Sequence, residues 1–260
     1  MVKKRLKLKP AKKSGGIFSK MVTVLLSILL FCGFVVCSFL LIRFFTSDDR
    51  PNDDGIDATE VLNLDTKEVT EEDKDEYTVA PNRPRYLFMP SIGVERARVK
   101  EIGLKQPNAQ GFQQMEAPSN IYDVGWYNCQ KNPVVAQRCL AEPGGEPVVP
   151  GGGDMENAVI MDGHTCFSKT FVCIFDNLSN LKAGDTATVQ LGDGTKINYV
   201  VKKVEIKNLD DVDMVALSHP IESGKEGMNL ITCIGRYNGA TDANGALTAS
   251  QRVLVWTVRE

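Results

Sequence analysis

The sequence predicts an all-β domain, folded as a closed or partly closed barrel, that follows a single transmembrane helix. Short runs rich in β-branched and aromatic residues recur from about residue 80 onward, and Gly, Pro and Asp separate them. Many short strands at such spacing are typical of barrels. Nearer the N-terminus, residues 21–42 form a run of 22 residues without a charge, which is long enough to cross a bilayer.

Seven of the β-type runs are predicted strands. They cover residues 85–89, 94–99, 157–161, 187–191, 197–206, 228–233 and 252–258. The sequence Leu-Gly-Asp-Gly-Thr at residues 191–195 lies between two of them as a hairpin turn, in which glycine supplies a positive φ. Helical turns are predicted only near residues 106–115, 175–181 and 211–217, so helices form a small part of the domain.

The N-terminal segment predicts how the chain meets a membrane. Residues 1–20 carry eight lysines or arginines and no acidic residue, and residues 21–45 form the predicted transmembrane anchor. By the positive-inside rule, the basic end stays in the cytoplasm and the rest of the chain is extracellular. The span is Leu/Val/Phe-rich to its end, which predicts an uncleaved single-pass anchor in the cell membrane instead of a signal peptide. With a span directly behind the basic segment, no nucleic-acid partner is expected.

Residues 46–79 are predicted to be a disordered acidic linker, and residues 80–260 the folded β-rich domain. Thirteen acidic residues stand against three basic ones between positions 48 and 76. Such a composition cannot bury enough apolar surface to fold alone. The linker is therefore interpreted as a tether that holds the domain off the membrane, with a cation-binding or inhibitory arm as the alternative.

Cysteine use fits an extracellular domain, because disulfides persist in oxidising compartments. Five of the seven cysteines follow the predicted anchor, at positions 129, 139, 166, 173 and 233. Proximity favours Cys129 with Cys139 and Cys166 with Cys173, which leaves Cys233 as the free thiol, although four cysteines permit three pairings. The bridge between Cys166 and Cys173 is expected to be a structural staple in preference to a redox switch.

The candidate catalytic residues lie at the ends of predicted strands. His164, one of only two histidines, and Cys233 each close an apolar strand, where a thiol can meet a substrate at an exposed rim. A thiol needs a base or a cation beside it to form thiolate, and His164 can serve as the base. Arg252 opens the last strand, 19 residues after Cys233, and a guanidinium there can stabilise charge on a carbonyl oxygen. Arg236 is the competing cation.

Seven pieces of the sequence, in order, resemble the sortases, the membrane-anchored cysteine transpeptidases of bacterial surfaces. They are residues 89–94 (Met-Pro-Ser-Ile-Gly-Val), 124–127 (Val-Gly-Trp-Tyr), 158–164 (Ala-Val-Ile-Met-Asp-Gly-His), 175–185, 199–201, 230–233 (Leu-Ile-Thr-Cys) and 252–253. The first two pieces are most similar to the class E/F group. The resemblance implies an eight-stranded β-barrel, whose missing strand is expected near residues 120–126. The two cysteine-bearing segments are departures from the family pattern.

The resemblance also implies roles for three residues. It assigns His164 as the general acid/base, Cys233 as the acylated nucleophile, and Arg252 as the residue that positions substrate and stabilises the oxyanion. The implied substrates are surface proteins with a sorting motif of the Leu-Pro-x-Thr-Gly type. The implied second substrate is an amine acceptor, either a cell-wall precursor or a pilin lysine. No cofactor or metal is expected, since two histidines offer little to build a zinc site.

Other readings of these residues remain open. One is a catalytically silent, membrane-tethered binding module that keeps the barrel. Another is an enzyme like the L,D-transpeptidases, in which Arg236 would follow the thiol by three residues. His219 is interpreted as a solvated loop histidine. The acidic residues at 210, 211 and 213 are interpreted as helix N-terminal charges, with calcium binding as the alternative.

Overall fold

The computed structural model describes residues 63–106, 109, 114–128, 131, 147–166, 170–235 and 248–260. The predicted cytoplasmic segment 1–20, the predicted anchor 21–45 and the first part of the predicted linker lie outside these ranges. Cys129 and Cys139 also lie outside them. In the described ranges, no helix is both long enough and apolar enough to span a membrane.

Eight strands close into one barrel. They are β1 (Pro84–Met89), β2 (Val94–Ile102), β3 (Val124–Tyr127), β4 (Val159–Gly163), β5 (Thr186–Leu191), β6 (Lys196–Asn208), β7 (Gly227–Ile234) and β8 (Gln251–Arg259). Around the barrel they follow the order β1-β2-β3-β4-β7-β8-β6-β5, and β1 pairs with β5 to close it. All seven strands predicted from the sequence are confirmed, and β3 is the eighth strand, in the region where it was expected.

Within the described ranges, helices are few and short. They are the α-helices α1 (Glu71–Glu76) and α2 (Met214–Leu217), and 3-10 turns at Pro90–Ile92, Leu178–Asn180 and Leu209–Asp211. Most of the helical turn predicted near residues 106–115 lies outside the described residues. The predicted turn at 191–195 joins β5 to β6, and Gly194 has a φ of 89° there. A residue with a Cβ would be strained at that φ.

Side-chain alternation along β4, β7 and β8 separates two apolar layers. Val159, Leu230 and Val253 belong to the cluster that fills the barrel. Their neighbours in sequence, Ile160, Ile231 and Leu254, belong to a second cluster on the other face of the same strands. Because successive residues of a strand point to opposite faces, this second cluster marks the outer face of the barrel.

The C-terminal part of the predicted disordered linker is folded, which corrects that expectation for residues 63–79. Helix α1 begins at a capping box in which Thr70 accepts from the Asp73 N–H while the Asp73 carboxylate accepts from the Thr70 N–H. Arg96 of β2 forms ion pairs of 2.6 Å with both Glu71 and Asp75 of this helix. Two of the acidic residues on which the prediction of disorder was based therefore form ion pairs with a cation of the barrel. Composition alone does not reveal this partner.

The cysteine pairing is confirmed where the structure describes it. Cys166 and Cys173 form a disulfide, and Cys233 is a free thiol. The bridge is buried beside Ile121, and Leu64 packs against the same cluster.

Candidate active site

The three predicted catalytic residues come from three adjacent strands. In the β7–β8 ladder, Cys233 lies directly opposite Arg252. Strand β4 runs parallel to β7 on its other side, with Asp162 beside Ile231, and His164 follows two residues later. Two side-chain hydrogen bonds continue this alignment past the end of β4, from the Thr232 hydroxyl to Gly163 O (2.6 Å) and from the Thr165 hydroxyl to Cys233 O (2.5 Å).

All three side chains belong to the outer face of the barrel. Cys233 is two residues from Ile231, and Arg252 is two residues from Leu254, so each shares the face of the outer apolar cluster. His164 shares the face of Ile160 and Asp162 by the same alternation. The site therefore lies at the end of an apolar surface on the outside of the barrel. The Leu217 side chain of α2 packs against this surface.

Burial holds the Cys233 thiol in its neutral form. Loss of solvent is the main cause that raises the pKa of this half-buried thiol, and the charge of Asp162 raises it further. The Arg252 guanidinium and a hydrogen bond with the Thr248 hydroxyl act in the opposite direction. Cys233 is thus a thiol whose ionisation depends on a cation and a hydroxyl from the neighbouring strand.

Burial also holds His164 in its neutral form. Loss of solvent lowers the pKa of the imidazole, while a bond to the Pro118 carbonyl opposes that shift. The Nε2 atom lies 2.6 Å from the Pro118 oxygen. With the thiol pKa raised and the imidazole pKa lowered, the neutral pair predominates over a wide pH range before substrate arrives.

The Arg252 guanidinium is held in place by residues of its own strand and of the segment before it. Its Nη1 donates to the carbonyls of Ala249 (2.9 Å) and Gln251 (2.8 Å), and its Nη2 donates to the Thr248 hydroxyl (2.8 Å). Thr248 therefore links the guanidinium to the thiol. Bound in this way, the cation does not need to reorganise when negative charge develops near Cys233.

Two residues of this site were not singled out by sequence reasoning. Asp162 is a carboxyl in an otherwise apolar strand, and burial raises its pKa to about 7 against the opposing effects of the Gly163 N–H, Arg252 and Lys105. An acid within an apolar run, two residues before His164, is a signal that could have identified it. Thr248 gives no comparable signal, because its role depends on the fold that brings it to Cys233.

The other candidates lie apart from this constellation or outside the described residues. The exposed His219 has its Nδ1 2.7 Å from the Val215 carbonyl, and Asp213 caps α2 by accepting from the Ala216 N–H at 2.9 Å. Both observations agree with structural roles. Arg236 lies outside the described residues, and within them no group of three His, Cys, Asp or Glu side chains could hold a metal ion.

An eight-stranded barrel that brings Cys233, His164 and Arg252 to the ends of three adjoining strands holds the groups that a cysteine transpeptidase would need. Comparison with known families agrees, since residues 145–260 match a family model described as a sortase domain. The C-terminal part of the chain, from β4 to the end, therefore matches the sortase domain.

Several solved structures are similar to the chain. Sortase C of Streptococcus pneumoniae is 16% identical, with 82% of this chain and 81% of that chain covered and a TM-score of 0.41. Sortase C-1 from Actinomyces oris is 17% identical, with 87% and 98% covered and a TM-score of 0.42. A pilus-related sortase C of Group B Streptococcus is 15% identical, with 76% and 80% covered and a TM-score of 0.43. No curated protein matches the chain.

Proposed function

We propose that this protein is a membrane-anchored transpeptidase that cleaves a Leu-Pro-x-Thr-Gly-like sorting motif through a thioester on Cys233. It then transfers the acyl group to an amine. The observation that supports this proposal best is the placement of a free thiol directly opposite an arginine, with a histidine from the adjoining parallel strand. That placement offers a nucleophile, a cation and a base at one end of an apolar surface.

The proposed first half-reaction forms an acyl-enzyme. The Cys233 sulfur attacks the carbonyl carbon of the motif threonine, and its proton passes to His164. Negative charge on the carbonyl oxygen is stabilised by Arg252, which is already held in place. The Thr–Gly amide bond then breaks, and His164 gives the proton to the departing glycine amine. The thioester carries the N-terminal part of the substrate.

The proposed second half-reaction releases the product. A neutral amine attacks the thioester carbon, the carbon–sulfur bond breaks, and the amine proton returns through His164 to the Cys233 sulfur. The acceptor is proposed to be a cell-wall precursor or a pilin lysine. The outer apolar cluster, which includes Ile160, Ile231 and Trp256, offers a surface for the apolar side chain of the motif.

The acyl-enzyme is the decisive species. We would incubate the full chain in mild detergent with sorting-motif peptides and measure intact mass, expecting an adduct equal to the acyl fragment. Cys233→Ala should abolish the adduct. Addition of hydroxylamine should discharge it as the peptide hydroxamate, which separates transfer to an amine from hydrolysis. A chain that forms no adduct with any motif peptide, while Cys233 is still alkylated by iodoacetamide, would instead be the silent binding module.

The proposed location has a separate test. The uncharged run at residues 21–42 follows eight basic residues, which supports a single-pass anchor with a cytoplasmic N-terminus. Protease added outside intact cells should digest residues 80–260 and spare a tag at the N-terminus. Recovery of the whole chain from the soluble fraction would reject the anchor.

A further inference from the structure

A short N-terminal segment, residues 63–67, is paired with the segment that contacts the candidate base. We call residues 63–67 the strap and residues 118–121 the rim. The Asp65 N–H donates to the Ser119 carbonyl at 3.0 Å, and the Ile121 N–H donates to the Asp65 carbonyl at 3.0 Å. These two bonds form an isolated β-bridge, so the strap lies along the rim as a minimal extra strand.

Asn120 of the rim reinforces this pairing with its side chain. Its amide donates to the Asp65 carboxylate at 3.1 Å and to the Lys67 carbonyl at 2.8 Å. Its own oxygen accepts from the Tyr122 N–H at 2.9 Å. Asn120 is only 5% exposed, and a buried amide that lost these partners would be left unsatisfied.

The strap is also attached by an apolar contact. Leu64 packs against the cluster of Ile121, Cys166 and Cys173. This disulfide starts two residues after His164. The strap therefore contacts the rim, whose Pro118 carbonyl lies against His164, and also the disulfide loop that follows His164 in sequence.

The rim fixes which nitrogen of His164 is basic. A carbonyl oxygen only accepts hydrogen bonds, so the Nε2 atom, 2.6 Å from Pro118 O, carries the hydrogen of the neutral ring. Nδ1 is then the unprotonated nitrogen that can accept a proton from the thiol. If the rim moved, the Nδ1–H tautomer would also become available, and in that tautomer Nδ1 could not accept a proton.

We propose that the strap is a positioning element of the active site, which holds the rim so that the Pro118 carbonyl keeps His164 in the Nε2–H tautomer. The inference rests on the proposed role of His164 as the base. It assigns a catalytic contribution, through the rim, to residues that composition predicts to be a passive tether.

The test is the tautomer of His164 in full-chain variants that detach the strap from the rim. Asn120→Asp keeps the acceptor for Tyr122 but places a second carboxylate 3.1 Å from that of Asp65, which should expel the strap. Nitrogen-15 NMR of histidine-labelled protein should show Nε2–H in the parent chain and a mixture of tautomers in the variant. We expect kcat/KM with a motif peptide to fall on the order of tenfold, a part of what general acid–base catalysis contributes.

The chain offers an internal reference and two controls. His219 has its Nδ1 against a carbonyl, so it should show the opposite tautomer in every variant. The swap Asp65→Asn/Asn120→Asp restores the amide–carboxylate bond but not the bond to the Lys67 carbonyl, so it should recover a part of the Nε2–H population and of the activity. Arg96→Gln removes the ion pairs of α1 without touching the strap, and it should change neither measurement.

The results separate the strap from the proposed function. If Asn120→Asp leaves the tautomer and kcat/KM unchanged in a folded protein, or if Arg96→Gln changes them equally, the strap has no positioning role. If Asn120→Asp does not fold, Asp65→Ala at an exposed position replaces it, with the same expected direction. A parent chain that forms no acyl-enzyme rejects the proposed function, but its NMR spectrum still reports whether the strap controls His164.

Discussion

The two ends of β7 differ in how completely their buried polar groups are hydrogen-bonded. Glu226, which precedes the strand, is 4% exposed, and its carboxylate accepts four hydrogen bonds. The donors are the N–H groups of Gly151 (2.6 Å) and Gly153 (2.9 Å), the Tyr199 hydroxyl, and Arg259 (3.0 Å). At this end of β7, a buried carboxylate with four hydrogen bonds joins the glycine turn at residues 151–153 and the end of β8 to the start of the strand.

The other end of β7 holds titratable groups away from their charged forms. Burial raises the pKa of Cys233 and of Asp162 and lowers the pKa of His164. Arg252 is the charge that opposes the shift at both acids. The fully paired buried charge of Glu226 stabilises the fold, whereas the incompletely paired groups around Cys233 stay available for proton transfer.

Loss of the Arg252 guanidinium should have the largest effect on chemistry. Arg252→Gln should lower kcat/KM by about 10²- to 10³-fold, the range seen when one oxyanion donor is removed. The kcat/KM of Arg252→Lys should lie between those of the parent chain and Arg252→Gln. An ammonium keeps the charge but lacks the planar guanidinium that donates to both Thr248 and Ala249. Steady-state transfer of a motif peptide to hydroxylamine measures both. Lys202→Gln, at an exposed cation of β6, is the control and should retain full activity.

Loss of the Glu226 charge should have the largest effect on stability. Glu226→Gln keeps the shape but weakens the bonds to Arg259 and the glycine turn, and the free energy of unfolding should fall by about 2–4 kcal/mol. Glu222→Gln breaks an exposed ion pair with Lys202 and should cost less than about 0.5 kcal/mol. Denaturant titration gives both values. A tenfold loss of activity per folded Glu226→Gln molecule would contradict the division between the two ends.

Removal of the Asp162 charge should have a smaller effect on the free energy of unfolding, and this effect should depend on pH. Its pKa is raised from 3.8 to about 7, so the folded chain favours the protonated acid, and this stability is lost as pH rises through about 7. Asp162→Asn should therefore stabilise the protein at pH 8, by about 1–2 kcal/mol after allowance for partial exposure. Unfolding titrations at acidic pH and at pH 8 measure the difference. Equal stability of parent and variant at both pH values would show that Asp162 is ionised freely.

The sequence predicts the features of the fold and of the candidate site that depend on local sequence pattern. The apolar runs that end in His164 and Cys233 predict the strands, and they also predict that both side chains lie on a barrel rim, because strand ends lie there. The register that sets Cys233 opposite Arg252 follows once β7 and β8 pair as neighbours. Proximity in sequence also predicts the Cys166–Cys173 bridge, since a short loop closes easily.

The sequence does not predict contacts between residues far apart along the chain. The acidic segment before the barrel is ordered by Arg96 and Asn120, which are 25 and 55 residues from their partners Glu71 and Asp65. The acceptor for His164 is a backbone carbonyl, which every residue possesses, so nothing in the side chain of Pro118 marks it. The pKa shift of Asp162 depends on burial that only the assembled sheet creates.

The pH at which the Cys233 thiol ionises tests whether burial and Arg252 together control this site. We would measure the rate of iodoacetamide labelling of the peptide that contains Cys233 across pH, in the parent chain and in Arg252→Gln. We expect an inflection above the ordinary thiol value of 9.0, and a still higher one without the guanidinium. An inflection at or below 9.0, or one that Arg252→Gln leaves in place, would contradict it.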